Sequence, residues 1–140
     1  GAELARLYRE RFQPSAQRAE PALSAALGVV CAETEAEAQR LAASLEVWRR
    51  RIMRGIDRGI PSPEEALGEL EEGWVPPGTG VDGARTLAGD PAQVRAELLR
   101  VAARYGTDEL LLVTVTHDFG ARLRSYELVA EAMGLIPPSG

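Results

Sequence analysis

Twice in this chain an apolar run gives way almost at once to a helix-capping residue, and that arrangement restricts the fold more than any other feature. Leu27-Gly28-Val29-Val30-Cys31-Ala32 runs into Thr34-Glu35-Ala36-Glu37, and Leu110-Leu111-Leu112-Val113-Thr114-Val115-Thr116 runs into His117-Asp118. Strands that are apolar on both alternating faces are buried on both sides. A strand passing so quickly into a helix is half of a βα unit, and its next strand pairs in parallel through a right-handed crossover. The predicted class is therefore α/β with a parallel sheet.

The helices announce themselves by their ends. Thr34 to Glu37 has the spacing of a capping box, in which the Thr34 hydroxyl accepts the Glu37 amide and the Glu37 carboxylate reaches back. The helix it opens carries Ala38, Leu41, Ala42, Leu45, Trp48 and Ile52 on one stripe and is predicted to run to about Met53. Ser62-Pro63-Glu64-Glu65 opens a short helix, with Ser62 as N-cap and Pro63 at the first helical position. Asp90-Pro91-Ala92-Gln93 opens another, with Val94, Leu98, Val101, Ala102 and Tyr105 as its stripe and Gly106 as a left-handed stop. After Asp118 a last helix places Phe119, Leu123, Tyr126, Ala130 and Met133 on one face and stops at Gly134 and Pro137-Pro138. Leu4, Leu7, Tyr8 and Phe12 predict an amphipathic first helix ending before Pro14. Ala22 to Ala26 reads as helix or strand, because alanine is a poor strand former.

Residues 54–90 are the irregular part. Beyond Ser62-Pro63, Gly and Pro alternate with single apolar residues, with Trp74 the one large anchor and a short strand predicted from Arg85 to Ala88. So long a loop is uncommon in a compact domain and reads as functional or as a poorly ordered insertion.

Composition closes off several chemistries. The 140 residues are 45% hydrophobic and 26% charged, with a net charge of -5, which suits one globular domain. No apolar run reaches the roughly 18–20 residues of a membrane helix, and no basic-then-apolar leader opens the chain; the expected location is the cytoplasm. The one cysteine, Cys31, and the one histidine, His117, exclude a disulfide framework and any multi-Cys or multi-His metal centre. All 16 basic residues are arginine, so neither a P-loop lysine nor a Schiff-base amine is available. Residues 1–60 hold 10 Arg against 8 acids and residues 61–140 hold 6 against 13. A net acidic chain without a basic stripe disfavours nucleic acid as a partner.

His117 is the residue physical reasoning singles out. It stands where a parallel strand yields to a helix, at the strand's C-terminal end, where α/β enzymes place their chemistry. An imidazole there can bond a cofactor or substrate or move a proton near neutral pH; the plainer alternative is a histidine that braces a neighbouring loop. Asp118 is expected to cap the last helix. Thr114 and Thr116 alternate with Val113 and Val115, which suggests either a threonine face turned inward, with Thr116 at the base of a pocket, or buried threonines satisfied by a neighbouring strand. Cys31 is expected to be inert core. Arg49, Arg50, Arg51, Arg54 and Arg58 cluster near a helix C-terminus, where they oppose its dipole or bind an anion. Glu71-Glu72 reads as solvated helix surface.

Two clear strands and a short third leave both sheet edges bare, and a closed eight-stranded barrel takes about 250 residues. Residues 1–140 are therefore expected to form a single partial domain, an open βα arc with an irregular insertion at about 54–90. The same residues resemble a known family. Leu7-Tyr8-Arg9-Glu10-Arg11-Phe12-Gln13-Pro14-Ser15 looks like the helix after the fifth barrel strand of bacterial luciferase-like flavin-dependent monooxygenases. Pro21 through Cys31-Ala32-Glu33-Thr34 and Glu37-Ala38 resembles their sixth strand and its helix. Ser62-Pro63-Glu64-Glu65-Ala66 resembles the segment after that helix. Gly89-Asp90-Pro91-Ala92-Gln93-Val94-Arg95 is similar to a later helix start. Tyr105-Gly106-Thr107-Asp108-Glu109-Leu110 through Asp118, then Arg122 to Leu128, resembles the last strand and closing helix. Residues 73–88 match poorly, and Gly28 stands where family members often carry Asn.

The resemblance implies the C-terminal part of a (β/α)8 TIM barrel that binds reduced FMN and uses O2 to oxidise a small organic substrate. It implies that most flavin contacts, including the phosphate loop, lie before Gly1, and that the isolated chain is inactive. The site residues it leaves here are His117 as the catalytic candidate and Thr116 with His117 beside the cofactor, with no metal, membrane or nucleic acid involved and homo-oligomerisation open. Two other readings stand beside it: a non-enzymatic α/β module that completes a sheet with another chain, and a small anion-binding domain using the helix start at Thr34 or Asp90.

Overall fold

In the computed structural model the described residues are 1–70 and 86–137. Five helices and three strands follow in the order α1 (Ala2–Arg11), β1 (Ala25–Cys31), α2 (Glu35–Met53), α3 (Pro63–Glu69), β2 (Thr86–Gly89), α4 (Pro91–Tyr105), β3 (Leu110–Val113) and α5 (Phe119–Ala132). The sheet is open and fully parallel, as expected for βα units. Its order, β2-β1-β3, is not the chain order that consecutive barrel staves would give. Gly28 lies opposite Thr86 on one side and Val113 on the other. The reason is in the residues: Val29, Val30, Cys31 and Ala32 are apolar on both faces and buried, which suits the central position. The four-residue β2 ends in a capping box and is short enough for an edge.

The helices cover both faces of that sheet. Val29, Cys31 and Leu87 pack under Val94 and Leu98 of α4 and Leu128 and Val129 of α5. Val30, Ala32 and Ala88 point the opposite way and pack under Ala38, Leu41 and Ala42 of α2, since successive strand residues face opposite sides. Each fully buried Val or Leu contributes about 1.5–3 kcal/mol. α3 lies on the far side of α2, through Ala66 and Leu70 against Ala43 and Val47. Arg51 fastens that pair by bonding Glu65 at 2.6 Å and also Glu69.

The caps follow the sequence closely. Asp90 and Gln93 exchange both bonds of their box, at 2.9 and 3.0 Å. Gly106 closes α4 in the left-handed region at φ 59. Ser62 and Asp118 cap α3 and α5 through the amides of Glu65 and Ala121. The Thr34 box is only half made: Thr34 accepts from the Glu37 amide, while the Glu37 carboxylate is held by Arg40. That bonding keeps the Glu37 carboxyl below its ordinary range.

Two stripes differ from expectation. Phe119, Leu123 and Tyr126 of the predicted stripe lie on the exposed side of α5, while Met133 of the same stripe packs against the core. The buried side carries Ser125, Leu128 and Val129. Both sides of this helix are apolar enough to qualify, and its period alone does not choose between them. In α1, only Ala5 of the helix is buried, while Leu4, Leu7 and Tyr8 stay exposed. Arg9 nevertheless docks α1 onto the end of α4 by donating to the carbonyls of Tyr105 and Gly106, at the negative end of that helix dipole. Trp74, Glu71, Glu72 and most of the 73–88 loop lie outside the described residues, as does Pro138; within that loop the predicted short strand appears as β2.

Candidate functional site

The site begins with small residues on one face of the sheet. Ala26 and Gly28 of β1 share a face with Val113 of β3, and the next residue in that alternation is Val115. α2 covers this face only in part, and a cleft of roughly 430 Å³ remains, lined by Ala26, Gly28, Val113 and Val115 with Leu45 and Arg49 of α2. Leu111 and Val113 of the edge strand are 52% and 54% exposed. The cleft spans the C-terminal end of β3 and the first half of β1, short of the edge at which β1 ends at Cys31.

His117 stands at the end of the same run, two residues beyond Val115. Its Nδ1 lies 2.9 Å from the carbonyl oxygen of Ile60. A carbonyl only accepts, so Nδ1 is the donor in this bond. The bond also brings the segment after α2 to the end of β3. His117 is exposed and braces a neighbouring loop, as the plainer of the two readings made from sequence has it.

Thr116 and Thr114 follow the buried alternative, with partners at the start of the following helix in place of a neighbouring strand. Both are buried, and they continue the alternation of Leu110 and Leu112, which pack on the α4–α5 side; the valines, not the threonines, line the cleft. The Thr116 hydroxyl donates to the Asp118 carbonyl at 2.7 Å. The Thr114 amide donates to the Tyr126 hydroxyl at 3.0 Å. Polar threonines suit this position because backbone and hydroxyl partners at the helix start satisfy them, whereas the cleft wall needs no donor.

The remaining candidates sort by their partners. Cys31 is buried, and desolvation first, then the charges of Asp90 and Glu33, push its thiol up to about 12; it is inert core, as expected. Its backbone amide donates to the buried Ser125 hydroxyl at 2.8 Å. Of the arginine cluster, Arg50 bonds Glu46 at 2.8 Å and Arg51 is held by α3, so these two are structural. Arg49 alone of that run lines the cleft. Arg124 ties α5 to Glu33 at 2.7 Å, which holds its guanidinium above its ordinary value. Among the described residues no three of His, Cys, Asp and Glu gather at metal-binding distance, and no helix is long and apolar enough to cross a membrane. Sequence reasoning missed the cleft itself. Its one signal was the small pair Ala26 and Gly28, two residues apart and so on one face of β1.

The fold and cleft define the class: an open parallel α/β sheet with an apolar cleft and a histidine at the strand's C-terminal end. Comparison with known proteins agrees. No family model matches the chain. It is 35% identical over 126 residues to the uncharacterized protein YceB of Bacillus subtilis (strain 168), covering 90% of this chain and 38% of that protein. It is 29% identical over 128 residues to the luciferase-like monooxygenase of Escherichia coli (strain K12), covering 89% and 37%. The crystal structure of apo-MsnO8 superposes with a TM-score of 0.84 at 35% identity, over 98% of this chain and 42% of that one. The chain thus spans 38% of the length of the first curated relative. These likenesses support a relation to the luciferase-like monooxygenases in general.

Proposed function

We propose that the chain is the C-terminal portion of an FMN-dependent luciferase-like monooxygenase, a cytoplasmic enzyme acting on a small organic substrate. The observation that carries this is the likeness to apo-MsnO8 over 98% of the chain, joined to the name of the Escherichia coli relative. The parallel pairing of β1 with both neighbours and the direct passage of the strands into capped helices are of the βα kind that such a barrel repeats.

The residues present fit part of the cofactor. Ala26, Gly28, Val113 and Val115 make a low apolar floor suited to a planar ring, and His117 follows Val115 by two residues at the end of that run. Thr116 has already donated its hydroxyl proton, so toward a ligand it can only accept. Bound reduced FMN supplies the electrons with which O2 is activated. In this reading the phosphate is held by polypeptide of the parent enzyme that precedes these residues, and the isolated chain is inactive.

The test is a flavin titration. The full-length enzyme is expected to quench FMN fluorescence stoichiometrically, and the 140-residue chain to leave it unchanged at micromolar concentration. Quenching by neither removes the proposal, and tight quenching by the short chain removes its claim of inactivity. In the full-length enzyme His117→Ala should slow flavin-dependent turnover by about 10²–10⁴-fold if the imidazole moves a proton; unchanged kinetics return His117 to bracing the loop. The exposed Leu111 and Val113 on an edge strand also suit a non-enzymatic module that completes a sheet with another chain. A monodisperse monomer by light scattering, for the isolated chain, decides against that second reading.

A further inference from the structure

We draw no further inference here: the strongest candidate, the apolar stripe that Phe119, Leu123 and Tyr126 leave exposed along the outer side of α5, carries nothing, because nothing in the structure shows what covers it in a chain that spans 38% of the length of its first curated relative.

Discussion

The two faces of β1 are built for opposite purposes. On one, Val29 and Cys31 are sealed beneath Leu98, Leu128 and Val129. On the other, only the last third of the strand is covered, by Ala38, Leu41 and Ala42, and the cover lifts over Ala26 and Gly28 to leave the cleft. The difference teaches where stability and recognition reside. A close-packed face tolerates no vacancy, while a face lined by small residues and half roofed can admit a ligand without disturbing the core.

The comparison can be broken at four points. Leu98→Ala removes the largest wholly buried side chain of the sealed face, 1% exposed, and should cost about 2–5 kcal/mol in urea unfolding; a loss below about 1 kcal/mol would mean that this face is not the core. Ser125→Ala strands the buried amide of Cys31 and should cost about 1–3 kcal/mol. Alkali should act on the same face. The Cys31 thiol, ordinarily near 9, is raised to about 12 in the fold, so the native state holds a proton that the unfolded chain releases. That contribution to stability is whole below pH 9 and is lost as pH climbs toward 12, and Cys31→Ala should flatten the decline. The smallest effect belongs to the open face: Val113→Thr on the isolated chain should change stability by less than about 0.5 kcal/mol. A cost similar to that of Leu98→Ala would show that something covers the valine in solution.

The sequence made the ends of elements legible and left their neighbours obscure. Caps are local: Asp90 and Gln93, Gly106, Ser62 and Asp118 each specify a bond within a few residues, and each bond is present. The strand boundary at Ala25, ambiguous by propensity, was decided by pairing with Leu110, a residue far along the chain. On β3 alternation left open whether Thr114 and Thr116 face a pocket or are buried, because their partners Tyr126 and Asp118 lie on the following helix and turn. The outward turn of Phe119, Leu123 and Tyr126 has a similar cause: α5 has two apolar sides, and the choice between them was made by Leu128 and Val129 meeting α4 and β1. The cleft has only a weak local signature, since it forms where Leu45 and Arg49 of α2 meet the small residues of β1 and the valines of β3.

The middle place of β1 also dictates how the molecule is made. The ribosome releases this strand before either of its flanking partners, which are encoded well downstream. Until they emerge, Val29, Val30 and Cys31 form a bare, sticky ribbon, the kind of transient surface that draws nascent chains into aggregates and calls for chaperones. Translation that slows between α2 and β2 would prolong that exposure, so synonymous codon changes there should alter soluble yield without altering the folded protein.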